Sequence, residues 1–335
     1  MKVAVFSSKS YDKKFLNAAN QGVGHELVYY DPKLDASTAP LVGDALAVCV
    51  FVNDVLDLAT LEILKQMGVK LIALRCTGFN NVDLKVAGEL GLIVVRVTAY
   101  SPYSVAEHAV GLILTLSRKY HRAFNRVREG NFSLDGLLGF DLQARTVGII
   151  GTGKIGMVLA EILQGFGCRI LGYDAYPNQH FGQFKKAEYV TLDELYAQAD
   201  IISIHCPLLP ETHHLINGAA LDKMKKDVIL INVSRGALID TEAMIEGLKS
   251  QKVGALGLDV YEEEEELFFQ DLSLKIIQDD VFQRLLTFPN VLVTGHQAFF
   301  TQEALTDIAT ITISNISDFA AERPCPHEIR YIPKP

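Results

Sequence analysis

Residues 146–174 constrain the fold of this chain more than any other stretch. Thr146-Val147-Gly148-Ile149-Ile150 reads as a short buried strand and runs directly into Gly151-Thr152-Gly153-Lys154-Ile155-Gly156. The glycines fall at G-x-G-x-x-G spacing. Gly151 permits a tight turn, Gly153 lets a pyrophosphate approach the backbone, and Gly156 lets the following helix pack on the strand. Ile155, Leu159, Ile162, Leu163 and Phe166 then recur at helical spacing. The N-terminus of that helix offers free N–H groups and a positive dipole end to phosphate. A second apolar strand ends at Asp174, whose carboxylate can accept hydrogen bonds from an adenosine ribose diol. The glycines alone would suit an ordinary turn. Strand, glycines, helix, strand and terminal acid in that order specify a dinucleotide-binding unit. Asp174 points to NAD, since a 2′-phosphate would meet a like charge and Ala175-Tyr176-Pro177 supplies no cation.

The rest of the 335 residues is enough for two domains. Strands at 2–7, His25–Tyr30, Leu46–Val52, Val69–Arg75 and Leu92–Val97 alternate with helices at Tyr11–Gln21, Leu58–Met67 and Asp83–Leu90. That alternation implies parallel crossovers in an open sheet, here without a glycine fingerprint. Thr98–Tyr103 reads as a hinge. A helix over Ser104–Arg122 follows, with Ser104-Val105-Ala106-Glu107 fitting a capping box. Its apolar face (Val105, Ala109, Leu112, Ile113, Leu116) suits a crossing between domains or a dimer contact. A polar connector, Arg128–Leu142, leads to the central strand. Beyond Asp174, strands at Ile201–His205, Val228–Val233, Ala255–Asp259 and Val291–Thr294 bring the second sheet to six. A helix from Thr301 to about Ala321 returns to the first domain, and Pro324, Pro326, Pro333 and Pro335 mark an irregular C-terminus. The expected class is α/β with two doubly wound parallel-sheet domains. Residues 1–101 and 299–335 form a flavodoxin-like domain into which a Rossmann NAD-binding domain, 102–298, is inserted.

Composition narrows the function. A net charge of −9 argues against a nucleic-acid surface. Met1-Lys2-Val3-Ala4-Val5-Phe6 enters a strand with no signal-peptide pattern. The longest apolar runs fall far short of a membrane span. Cys49, Cys76, Cys168, Cys206 and Cys325 are scattered, with no C-x-x-C, so free thiols in a reducing cytoplasm are expected and no metal site is.

Ligands of an open parallel sheet sit at the carboxyl ends of its strands. Three strands of the second sheet are followed by Ser234-Arg235-Gly236, by Val260-Tyr261-Glu262-Glu263-Glu264, and by Gly295-His296-Gln297-Ala298. Each has a plainer reading: a surface turn for Arg235, a solvated face for the Glu run, a structural role for one histidine among nine. Together they supply what hydride transfer to a 2-oxo acid requires. Arg235 offers a bidentate fork for a carboxylate, His296 a proton near neutrality, and a nearby carboxylate would stabilise the imidazolium.

Gly151–Gly156, His205-Cys206-Pro207-Leu208-Leu209-Pro210-Glu211-Thr212, Asn232-Val233-Ser234-Arg235-Gly236, Asp259-Val260-Tyr261-Glu262 and Gly295-His296-Gln297-Ala298 together resemble the D-isomer-specific 2-hydroxyacid dehydrogenases. The likeness covers nearly the whole chain. Leu267-Phe268-Phe269-Gln270-Asp271 through Asp279-Asp280-Val281-Phe282 resembles the bacterial fermentative D-lactate branch. The resemblance implies NADH-dependent reduction of pyruvate by a catalytic set of Arg235, Glu264 and His296, with Glu262, Glu263, Glu265 and Glu266 as competing positions for the acid. It implies cofactor contacts from Gly151, Thr152, Gly153, Lys154, Ile155, Gly156, Asp174, His205, Cys206, Pro207, Thr212, Val233, Ser234, Arg235, Asp259, His296 and Ala298, with His205 not the proton donor. Substrate contacts fall to Thr77, Gly78, Tyr100, Arg235, His296 and Phe299, in a cleft between domains. Phe79, Tyr100, Phe299 and Phe300 would narrow a pocket around a methyl group. No metal is implied, and a homodimer or homotetramer is. Two alternatives stand beside this reading. One is a larger 2-oxo acid as substrate. The other is an NAD-sensing scaffold like the C-terminal binding protein co-repressors, which would need a peptide-binding surface.

Overall fold

The computed structural model describes residues 1–264 and 267–332. Glu265 and Glu266, two of the competing acids, and Pro333 and Pro335 of the C-terminal prolines lie outside the described residues. The chain divides into two compact units, Met1–Ser101 with Phe300–Pro335, and Pro102–Phe299. The second crossing thus falls one residue later than the sequence suggested.

The first unit holds β1 (Lys2–Val5), α1 (Ser10–Ala19), β2 (Glu26–Tyr29), β3 (Ala47–Val50), α2 (Leu58–Gln66), β4 (Leu71–Leu74), α3 (Leu84–Glu89) and β5 (Ile93–Arg96). Its strands pair in parallel in the order β2-β1-β3-β4-β5. β3 and β4 are buried along their whole length, as strands covered on both faces must be.

The second unit holds α4 (Pro102–Arg118), α5 (Tyr120–Arg128), β6 (Thr146–Ile150), α6 (Lys154–Gly165), β7 (Arg169–Tyr173), β8 (Ala187–Tyr189), α7 (Leu192–Gln198), β9 (Ile201–Ile204), α8 (Gly218–Lys223), β10 (Val228–Asn232), α9 (Thr241–Lys249), β11 (Val253–Leu258), α10 (Asp280–Leu286) and β12 (Val291–Val293). The order is β12-β11-β10-β9-β6-β7-β8, all parallel. Crossovers run one way from β6 to β8 and the other way from β9 to β12. The switch point, where ligands bind in such sheets, lies between β6 and β9. The last helix, α11 (Gln302–Ala320), is capped by Thr301, whose hydroxyl accepts from the Ala304 N–H. It packs on α1 and β4, burying Ala309, Ile313 and Ile316 with Val3, Leu71 and Val95 in the core of the first unit.

Three expectations are corrected. The second sheet has seven strands, because β8 is an edge strand of three residues, Ala-Glu-Tyr, with no β-branched run to reveal it. The first helix of the second unit starts at Pro102, so Ser104 is buried inside its first turn and cannot cap it, and Glu107 is merely exposed. Proline at the first helical position was the better signal. That helix also breaks at Lys119, which takes a left-handed φ of +55°. The supposed continuation and the start of the polar connector are a separate helix, α5. The apolar face of α4 packs on α6, β10 and β11 of its own unit.

Candidate active site

The three fingerprint glycines answer to three different constraints. Gly151 has φ +98°, and an added Cβ would lie 2.5 Å from the Cys206 nitrogen and the His205 carbonyl carbon. This is the contact between the ends of β6 and β9, and only glycine fits it. A Cβ on Gly156 would stand 2.1 Å from the Gly151 carbonyl oxygen, so glycine there lets α6 sit down on β6. A Cβ on Gly153 would meet nothing within 4 Å. No protein atom forbids a side chain at Gly153, and the bare space lies at the N-terminus of α6, where Gly153 itself supplies no side-chain cap. A pyrophosphate fits that cradle, where the N–H groups of Lys154 and Ile155 at the helix start would receive it.

Asp174 sits at the end of β7. One of its oxygens accepts from the Thr152 N–H at 2.6 Å and the other from the Tyr176 N–H at 2.8 Å. Thr152 Oγ1 also reaches it at 3.2 Å and pairs with the Tyr189 hydroxyl. A carboxylate has roughly four acceptor positions, so this one is oriented and still has capacity for a ribose.

On the other side of the switch point, His205 bonds through Nε2 to Ser203 Oγ at 2.8 Å. Burial pushes its pKa down to about 4, so the ring is neutral at pH 7, which suits a cofactor-side residue and not a proton donor. Burial also pushes the Cys206 thiol up to about 11. The Cys206 carbonyl accepts from Ser234 Oγ, tying the ends of β9 and β10 together. The Thr212 hydroxyl is spent on its own loop, donating to the Pro207 carbonyl at 2.7 Å and accepting from the Leu209 N–H.

The catalytic candidates lie on three neighbouring strand ends. Buried Asn232 shapes the turn after β10, accepting from the Ser234 N–H and donating to the Arg235 carbonyl. A Cβ on Gly236 would stand 2.0 Å from the Tyr261 carbonyl carbon, so the Arg235 loop rests directly on the loop after β11. Arg235 is half-buried and donates one bond to the Ser234 carbonyl, which leaves other guanidinium N–H groups of its fork. Glu264 accepts from the Tyr261 N–H through one oxygen and meets His296 Nδ1 at 2.8 Å through the other. Of the competing acids that are described, Glu263 is exposed and Glu262 turns to His214 and Thr241.

His296 has a left-handed φ of +51°, an uncommon conformation for a residue with a Cβ. Asp259 holds it there: its carbonyl accepts the His296 N–H at 2.7 Å. The Asp259 side chain, wholly buried, accepts from the N–H groups of Gln297 and Ala298 and from Thr294 Oγ1. Burial alone would raise its pKa, but His108 at 3.3 Å and these donors outweigh it and hold the carboxyl below the usual range. Asp259 therefore stays ionised and anchors the turn that presents His296.

A family model described as D-isomer specific 2-hydroxyacid dehydrogenase, NAD binding domain, matches residues 110–298. The chain is 54% identical to D-lactate dehydrogenase of Escherichia coli, covering 98% of this chain and 100% of that one. The chain belongs to the D-isomer specific 2-hydroxyacid dehydrogenases. The structure of apo D-lactate dehydrogenase from Escherichia coli is similar at a TM-score of 0.90 and 52% identity, over 98% of this chain and 100% of that one. A pyruvate reductase of Chlamydomonas reinhardtii is similar at 0.92 and 47%, over 97% and 98%. The second unit of this dehydrogenase is thus an NAD-binding domain, and the glycine cradle and Asp174 are the groups that fit the cofactor.

The geometry also adds residues that the family motifs left out. His108, on α4, bonds to Thr294 Oγ1 and faces Asp259, although it lies some 150 positions away in the chain. Only the fold brings it there. Phe269 lies 5.5 Å from the His296 ring and Phe299 lies 6.3 Å from it, edge to face. Phe269 was present in a quoted motif but carried no role. Thr77, Gly78 and Tyr100 belong to the first unit. There Arg96 Nη1 donates to the Thr77 carbonyl at 2.7 Å, and the Arg96 guanidinium lies over the Phe79 ring. Phe300 packs edge to face on Tyr11.

Proposed function

We propose that this dehydrogenase interconverts pyruvate and D-lactate with NAD as its cofactor. The observation that carries the reading is the 2.8 Å contact between Glu264 and His296 Nδ1, on strand ends adjoining the one that carries Arg235. With a carboxylate as acceptor, Nδ1 carries a proton, and Nε2 is the nitrogen left to serve the substrate. Bound NADH supplies the hydride. His296 Nε2 gives its proton to the ketone oxygen in reduction and takes it back from the hydroxyl in oxidation. Glu264 orients the ring and stabilises its charged form. Arg235 binds the substrate carboxylate with its planar fork and polarises the carbonyl. Thr77, Gly78 and Tyr100 act on the substrate side. Phe269 and Phe299 keep water from the imidazole and favour a small methyl group over a polar one. Reduction consumes a proton and oxidation releases one, so by mass action rising pH opposes reduction and favours oxidation.

Five free cysteines fit a reducing cytoplasm. Tyr120, Phe124, Val127, Phe132, Leu134 and Leu138 expose apolar surface along α5 and the segment after it. Such a strip supports a homodimer or homotetramer. Among the described residues no helix is long and apolar enough to cross a membrane.

The test is NADH oxidation with pyruvate against a panel of larger 2-oxo acids, with NADPH in parallel and the chirality of the product determined. Pyruvate preferred with NADH, giving D-lactate, is the expected result. Preference for a bulky acid moves the enzyme to another substrate. Tight NADH binding without turnover of any acid overturns the catalytic reading in favour of a cofactor-sensing scaffold.

A further inference from the structure

Two loops at the carboxyl end of the second sheet meet in a second contact between histidine and glutamate side chains. The loop after β9 carries His213 and His214, and the loop after β11 carries Glu262. In an extended chain, neighbouring side chains point to opposite sides. Here His214 takes a left-handed φ of +50°, and the two imidazoles lie on the same side, stacked with centroids 3.9 Å apart. His214 Nε2 lies 2.5 Å from Glu262 Oε1. One ligand atom from each of His213, His214 and Glu262 lies within 4.8 Å of the other two.

We propose that His213, His214 and Glu262 bind a divalent transition-metal ion of the zinc type. Two imidazoles and a carboxylate form a common three-residue zinc ligand set, with a fourth position left for water. Ligand atoms about 2.0–2.1 Å from a tetrahedral ion stand roughly 3.4 Å apart, a small adjustment from the arrangement found. The ligands are also supported from behind, as metal ligands are. Thr241 Oγ1 donates to the second oxygen of Glu262 at 3.0 Å, and the backbone N–H of His214 donates to the Ala237 carbonyl at 2.8 Å, which holds the loop in place. His213 is exposed, so the site is open to solvent and an ion can enter and leave.

The bound ion clips two loops together. One runs from Pro207 to Thr212 on the cofactor side. The other leads through Glu262 to Glu264. The proposal stands independently of which acid the enzyme reduces.

Full-length protein stripped with EDTA is titrated with Zn2+ by calorimetry in a non-chelating buffer, and separately with Co2+ by visible absorption. The expected result is one Zn2+ per chain, with Co2+ giving the strong d–d bands of a four-coordinate site. His213→Ala should weaken binding at least about tenfold, the scale seen when a metal site loses support, and should abolish the Co2+ bands. Glu262→Gln should do the same. His213 is exposed, so its variant folds even where the Glu262 variant does not. No saturable binding, or wild-type affinity in His213→Ala, overturns the proposal, the latter because the ion would then sit on other groups such as the thiols.

Discussion

At the carboxyl end of the first sheet the buried charges close on one another, whereas at the open carboxyl end of the second they keep bonding capacity to spare. Beyond β4 of the first sheet, Arg75 is only 2% exposed. Its Nε bonds to Asp12 at 3.0 Å and its Nη2 to the Ser7 carbonyl at 2.9 Å, and its guanidinium lies over Phe51. Asp54, wholly buried, accepts from Ser7 Oγ and from the N–H groups of Leu34 and Phe51. These charges are consumed by the fold. In the second sheet, Arg235, Glu264 and His296 stand at the same ends of the same kind of strand, yet each is only half-buried and each retains a donor or acceptor. A doubly wound sheet determines where a site can be built. The surplus bonding capacity of the groups at its edge determines whether one is.

The largest expected effect breaks the closed end. Arg75→Met leaves Asp12 buried without its ion-pair partner and should cost the first unit about 3–5 kcal/mol, measured as a lower urea midpoint for that unit. NADH affinity, a property of the second unit, should be unchanged. The next pair separates structural from ligand-imposed glycines within the open end. Gly156→Ala drives a Cβ into the Gly151 carbonyl and should cost roughly 1–3 kcal/mol of stability. Gly153→Ala should leave the melting temperature unaltered and weaken NADH by about tenfold, near 1.4 kcal/mol, in fluorescence titration. Loss of stability in Gly153→Ala with NADH affinity intact would reverse the two assignments. The smallest effect concerns His205. Its folded pKa of about 4 lies below its ordinary 6.5. The unfolded chain therefore takes up a proton that the folded chain refuses, and stability falls as pH drops from 6.5 towards 4. His205→Gln should flatten the stability–pH curve in that window and leave it unchanged above pH 7.

The sequence made the open end more legible than the closed one, for a physical reason. The glycine loop, Asp174 and the motifs around Arg235 and His296 are local: each function is encoded within a few residues of a strand end. The parallel alternation of strands and helices was equally local, and both sheets follow from it. What escaped depends on contacts between distant segments. His108 reaches Asp259 from α4, and Phe269 reaches His296 from a loop whose own sequence assigns it nothing. β8 exists only because β7 offers it an edge, and the break at Lys119 has no glycine or proline to announce it. Among the acids of the loop after β11, spacing alone did not decide. Of those described, the one that meets His296 is Glu264, while Glu262 is engaged by His214 and Thr241.

The most direct test is single-turnover NADH oxidation by His296→Gln with pyruvate, at NADH concentrations that saturate both variant and parent. If His296 is the proton donor, the rate of the chemical step falls by roughly 10²–10⁴ while the NADH dissociation constant stays within error of the parent. A variant that reduces pyruvate at close to the parent rate would contradict the role of the Glu264–His296 pair and with it the reading of this sheet edge as the catalytic centre.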